Sequence, residues 1–189
     1  MKIAILGWGS LIWDPRDLPR EGTWQTGGPI LPIEFSRVST DCRLTLAIDP
    51  IHGVPVATRY VQSPRASLDD AIADLCQREG TAKKGVGFMG LGETSCRVEA
   101  LSPAIRQWGE KHGFEGIVWT DLASNFEAET GVAFSVEEAK SYLVHLPESA
   151  ADRARKYVNN APPEVDTPLR RALQQGGWLS PAKPGVPLN

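Results

Sequence analysis

Apolar and polar positions in the first third of the chain fall into short runs of strand length. Ile3 to Leu6 is continuously apolar, which predicts a buried strand over Lys2–Leu6, and a second strand is expected over Leu31–Ser39. Arg43–Asp49 alternates around Leu44, Leu46 and Ile48, and Val54–Gln62 follows a His-Gly turn. These last two predict a hairpin joined by Pro50–Gly53, with Pro55 marking its returning strand as an edge.

The period changes at Ser67. Leu68, Ile72 and Leu75 are spaced by four and then three, one buried stripe of a helix over Ser67–Glu79. Ser67 suits the N-cap, and Asp69 and Asp70 lie in the first turn, where the helix dipole favours negative charge. The glycine-punctuated stretch 80–95 predicts loop or irregular strand. "CRVEAL" (96–101) reads as a strand, and "SPAIRQWGEKHG" (102–113) as a helix capped by Ser102 with Pro103 at its first position. "EGIVWTDL" (115–122) predicts one more strand. Helices follow over Ser135–Leu146, Ser149–Asn159 and Thr167–Gln175, and the Gly- and Pro-rich tail from about Gly176 reads as irregular. Strands gather early and helices late, so the fold class is α+β rather than alternating βαβ.

Length and charge narrow the function classes. The 189 residues suit a single domain over 1–189 with a real core. A net charge of −3, with no basic block, argues against nucleic acid as partner. No apolar run reaches transmembrane length and "MKIAILGWGS" is too short for a signal-peptide core, so no membrane partner is expected. Cys42, Cys76 and Cys96 form no CxxC pair, and His52, His112 and His145 form no close cluster. Reduced thiols in a cytoplasmic protein without a metal site fit that usage.

The candidate chemistry starts at "GWGSLIWDP", directly after the first strand. A dinucleotide fingerprint would need glycine where Ile12 stands, and Pro15 and Pro19 break the phosphate-binding helix that should follow. That leaves a nucleotide-dependent oxidoreductase as the weakest of three readings, the others being a tight turn and a backbone nest whose N–H groups at Gly9 and Ser10 converge on an anionic group. The loop alone does not choose between these two. A partner residue stands at the end of the first long helix. Position 79 continues the stripe of Leu68, Ile72 and Leu75, and it is glutamate, with Arg78 and Gln77 off the stripe. Glu79 is expected to face the interior or a cleft, where desolvation and the negative end of the helix dipole both disfavour its charged form. That suits a general acid/base. The alternative is a frayed last turn with Glu79 in water or paired with Arg78 or Lys83.

"GWGSLIWDP" followed by "LCQREG" resembles the γ-glutamylcyclotransferase family, closest to its ChaC-like branch. "STDCRLTLAIDP" and "VPVATRYV" resemble that branch's central hairpin. The resemblance covers roughly residues 1–90 and leaves 91–189 as an unassigned continuation that completes the fold. It implies a small mixed β-barrel with helices packed outside and a helical C-terminal extension. It also implies cyclisation of a small γ-glutamyl amide to 5-oxoproline, the substrate's α-amine attacking its own γ-carbonyl, with no cofactor or metal. Glu79 would move the proton, and Trp8, Gly9, Ser10 and Leu11 would bind the γ-glutamyl group. The branch carries tyrosine where this chain has Trp8, and its glycine–tyrosine pair after the acidic residue is replaced by "GTAKKGVGF". These departures motivate the alternative, a non-catalytic small-molecule binding or sensor module on the same fold.

In the second half, Trp119 and Thr120 end a predicted strand, where pocket residues often sit. Asp166 or Thr167 can cap a helix carrying Arg170 and Arg171. Capping and core packing account for both; a functional role would be a substrate carboxylate meeting an arginine.

Overall fold

The computed structural model describes residues 1–90 and 92–179; the predicted irregular tail beyond Leu179 lies outside the described residues. In chain order the strands are β1 (Ile3–Gly7), β2 (Glu21–Gln25), β3 (Ile30–Val38), β4 (Leu44–Ile48), β5 (Val54–Ala57) and β6 (Arg59–Ser63). After α1 (Leu68–Glu79) come β7 (Val86–Met89), β8 (Thr94–Ser95), α2 (Ser102–Lys111) and β9 (Gly116–Thr120). The chain then runs through α3 (Phe126–Thr130), α4 (Val136–Val144), α5 (Glu148–Asn160) and α6 (Pro168–Gln175). No helix among the described residues is long and apolar enough to cross a membrane.

Two sheets form. The larger has the order β2-β6-β1-β9-β7-β8 and the smaller β4-β3-β5. Their order corrects the predicted hairpin. Nine-residue β3 takes β5 along Ile30–Ile33 and β4 along Ile33–Val38, so β4 and β5 flank it instead of pairing with each other. The cause is local to Asp49, whose Oδ1 accepts the N–H groups of Ile51 and His52, a turn that carries the chain across β3. Pro55 does sit on an edge, in β5. The predicted strand at 96–101 is also corrected. Arg97 N–H donates to Asp121 Oδ2 (2.7 Å) and Arg97 Nη2 to the Ile48 carbonyl (2.7 Å), so side chains hold this segment where a ladder was expected, and Glu99–Leu101 closes as a 3-10 turn. Edge strand β2 has no apolar alternation to announce it and is mostly exposed.

The sheets do not close into a barrel. The chain crosses between them at one corner, where Gly28 N–H donates to the Thr58 carbonyl (2.8 Å) and Thr58 Oγ1 to the Pro29 carbonyl (2.8 Å). There the predicted strand over 54–62 breaks into β5 and β6, one in each sheet. Beyond that corner the sheets end in separate outer strands, so the expected barrel is corrected to two open sheets in an α+β arrangement.

Both faces of β1 are buried, and the alternation assigns them. Ile3 and Ile5 join Val61, Val86, Phe88 and Val118 under Ala71, Ile72 and Leu75 of α1. Ala4 and Leu6 face the core shared with Leu31, Ile33, Phe35, Leu44 and Leu46 of the smaller sheet, which also includes Tyr157 and Val158 of α5 and Leu169 of α6. Helix α1 stops at Glu79 because Gly80 turns left-handed (φ 63°) and Thr81 N–H reaches back to the Cys76 carbonyl (3.0 Å). Ser67 takes the N-cap position, but its side chain makes no capping bond.

Candidate active site

β1 and β9 pair in parallel, and every other pairing in the larger sheet is antiparallel. Chain turns leaving the carboxyl ends of adjacent parallel strands diverge and leave a crevice. Here β1 runs out through Gly7 into the turn at Gly9–Asp14, and β9 ends at Thr120. The end of α1 lies beside them. A cleft of about 550 Å³ opens at this place, lined from the larger sheet's side by Ser10, Arg78, Glu79 and Thr120, and from the β3–β4 hairpin by Arg37, Asp41 and Arg43. Tyr157 of α5 lines it too. That volume is within the usual range for small-molecule sites.

The structure brings the two sequence-predicted centres together through Arg78. Its Nη2 donates to Ser10 Oγ (3.1 Å) and to the Asp14 carbonyl (2.7 Å), and its Nη1 to Glu79 Oε1 (3.1 Å). One guanidinium therefore bridges the loop and the carboxylate. This corrects the expectation that Arg78 lies off the buried stripe: its side chain is 5% exposed and that of Glu79 is 16% exposed. The turn after β1 gives the arginine two acceptors on this side of the helix end, the Ser10 hydroxyl and the Asp14 carbonyl. Glu79 is paired with Arg78 and still borders the cleft, with no hydrogen bond from a described residue reaching its second oxygen.

The turn itself is held by Ile12 N–H to the Gly9 carbonyl (3.0 Å) and Asp14 N–H to the Ser10 carbonyl (2.8 Å). The N–H groups of Gly9, Ser10 and Leu11 donate to no acceptor among the described residues. Trp8 and Leu11 turn their side chains into the two core clusters, so neither side chain lines the cleft. Gly9 is needed for close approach: a Cβ there would lie 2.9 Å from Tyr157 Oη.

Tyr157 went unnoticed in the sequence. It is buried, edge-on to Trp13 and Phe35, with the Arg43 guanidinium over its ring. Its oxygen accepts the Leu46 N–H (3.4 Å), and its own proton has no acceptor among the described residues. The signal was present as one hydroxyl on the alanine- and valine-rich stripe Ala150, Ala154, Tyr157, Val158. Thr120 Oγ1 is likewise buried and without a partner among the described residues. Arg170 and Arg171 are elsewhere: Arg170 ties the carbonyls of Ala161, Pro162 and Val165, and Arg171 pairs with Asp166. Thr167 caps α6 by accepting Arg170 N–H (3.3 Å), and Trp119 is wholly buried.

Burial pushes the Tyr157 phenol from its ordinary 10.0 up to about 12, with the Glu79 charge adding to it and the Leu46 N–H, Arg43 and Arg78 opposing. Between those values the folded protein keeps a proton that the unfolded chain gives up. Stability from this group is complete below pH 10 and declines as pH rises toward 12. Tyr157→Phe is expected to make that alkaline decline shallower, read as denaturation midpoints across the window; an equally steep decline would contradict it.

Compared with known proteins, the chain matches no protein-family model and no curated protein sequence.

Proposed function

We propose that the protein is a γ-glutamylcyclotransferase-like enzyme on a γ-glutamylcyclotransferase-type variant of the α+β fold, converting a small γ-glutamyl amide to 5-oxoproline. One observation carries this reading: Arg78 joins Ser10 and Glu79 at a single cleft, beside a turn in which the Gly9, Ser10 and Leu11 amides donate to no described residue.

The reaction asks for little beyond what borders this cleft. The substrate's α-amine attacks its own γ-carbonyl carbon; a C–N bond forms in the five-membered ring and the amide C–N bond breaks. Glu79 takes a proton from the attacking nitrogen and delivers it to the leaving nitrogen, so the carboxylate is regenerated. The unpaired N–H groups of Gly9, Ser10 and Leu11 are suited to the oxygen on which negative charge develops. The Tyr157 hydroxyl and Thr120 Oγ1 offer further polar contacts, and holding amine and carbonyl together removes much of the entropic barrier. The nucleophile arrives with the substrate.

The reading is tested by incubating purified protein with a panel of γ-glutamyl amides and following 5-oxoproline by mass spectrometry. Enzyme-dependent 5-oxoproline from at least one compound is the expected result, and its absence from all of them would overturn the reading. The Arg78–Glu79 ion pair favours a second one, a binding module in which Glu79 has only a structural partner. That reading expects a rise in Tm with a γ-glutamyl ligand and no product.

A further inference from the structure

A second cavity, of about 510 Å³, shares no lining residue with the Ser10–Glu79 cleft. It opens between the turn after β4 and helix α3, and its volume again suits a small molecule. Its titratable side chains are Asp49, His52 and Glu127, and no lysine or arginine lines it. Arg97 donates to the Ile48 carbonyl beside Asp49, but its charge is paired with Asp121 (3.7 Å). Phe126 and Phe134 add two rings that meet edge to face, their centroids 5.3 Å apart, and the His52 ring lies 4.9 Å from Phe134.

The hydrogen bonds already made around this cavity determine what it can still bind. Asp49 is buried, its Oδ1 accepting the Ile51 and His52 amides and its Oδ2 lying 3.3 Å from His52 Nδ1. Burial works against the Asp49 charge, and hydrogen bonds led by the His52 amide outweigh it, so the carboxyl lies below its ordinary pKa. An ionised Asp49 places the proton of a neutral imidazole on Nδ1, which leaves Nε2 as an acceptor. Ser124 Oγ commits its proton to the Ser36 carbonyl (2.7 Å), so it too can only accept. That bond also argues against a serine–histidine nucleophile here. Both protons of Asn125 Nδ2 are taken, by the Val38 carbonyl (3.1 Å) and Glu129 Oε1 (3.3 Å). Glu127 is exposed in the first turn of α3, with no ion-pair partner among the described residues. Every polar side chain with capacity left is therefore an acceptor. Helix α3 has only five residues, and Glu127 and Glu129 oppose the field at its N-terminus, so that end does not turn the cavity toward anions.

We propose that this cavity binds a small primary amine as its ammonium ion, the N–H donors meeting His52, Ser124 and Glu127 and the charge lying against the Phe134 ring. The occupant is a free amine, in keeping with a cavity of small-molecule size. The assignment is independent of the cyclotransferase reading.

The test is a backbone-amide NMR titration of the full chain with butylamine, and with 1-butanol and butyrate as neutral and anionic counterparts. Butylamine is expected to shift the amides of residues 51–53 and 124–128. It should bind roughly ten- to a hundredfold more tightly than 1-butanol, the range for hydrogen bonds to a charged group. Butyrate should not bind. Glu127→Gln and Phe134→Leu should each weaken butylamine, by about threefold for loss of the ring. No shift with butylamine, or equal affinity for butylamine and 1-butanol, overturns the proposal whether or not either variant folds. Shifts confined to residues 9–11 and 79 would place the amine in the other cleft and overturn it as well. Tighter binding of Nα-acetyllysine methylamide than of butylamine would assign the cavity to a lysine of another protein, against the free amine.

Discussion

Glu79→Gln is expected to lower kcat for 5-oxoproline release by about a hundred- to ten-thousandfold, the usual contribution of a positioned general acid/base. Glutamine keeps the shape of the side chain, and its carbonyl can still accept from Arg78 Nη1, which now donates to Glu79 Oε1. Arg78 also keeps its bonds to Ser10 Oγ and the Asp14 carbonyl, so the turn stays in place. What disappears is the ability to take a proton from one nitrogen and return it to another. The loss should therefore fall on kcat with KM little changed, while Tm falls because the buried Arg78 guanidinium loses its carboxylate partner, and steady-state kinetics with thermal melting separate these. An unimpaired kcat would remove Glu79 from the mechanism.

Arg78→Met is expected to cost about 3 kcal/mol of stability, the lower end for breaking a buried ion pair, because Glu79 keeps some contact with water. Methionine matches much of the aliphatic stem, but three acceptors lose their donor: Ser10 Oγ, the Asp14 carbonyl and Glu79 Oε1. For a chain of this length that loss corresponds to a fall in Tm of roughly 6–12 °C. Activity should fall as well, since the same guanidinium holds the turn beside the carboxylate. Combining Arg78→Met with Glu79→Gln removes the abandoned charge, so the double variant should be less destabilised than the two single losses added together. A Tm for Arg78→Met equal to that of wild type would show that the bridge carries no such weight.

Much of this was legible in the residues, for identifiable reasons. The run Ile3–Leu6 and the stripe Leu68, Ile72, Leu75 are strong periodic signals, and they located β1, α1 and the two candidate centres between them. The cap at Thr167 and the helix end at Gly80 follow from local side-chain and backbone chemistry, whereas Ser67 and Ser102, read as caps, make no capping bond. Sheet partners were not legible. Periodicity says that residues 44–48 and 54–57 are extended, but the turn at Asp49 decides that both pair with β3. The open sheets likewise turn on one corner at Gly28 and Thr58, which no alternation encodes. Within the cleft, the stripe argument found Glu79 and misplaced Arg78, because it counts apolar positions and takes no account of the hydroxyl, carbonyl and carboxylate that the fold brings to the cation. Tyr157 and Arg37 come from elements distant in sequence and meet Glu79 only once the chain is folded.

The most direct test of the central claim is a time course of γ-glutamylalanine turnover followed by NMR, with carbon-13 in the glutamyl carbons and wild-type protein beside Glu79→Gln. The predicted result is that the lactam signals of 5-oxoproline grow at the rate at which free alanine appears, without glutamate, and that both grow about a hundredfold or more slowly in the variant. Glutamate as the first product would mean hydrolysis by an external water, and an unchanged spectrum would mean no turnover of this γ-glutamyl amide. Either would contradict cyclisation of this γ-glutamyl amide at the Ser10–Glu79 cleft.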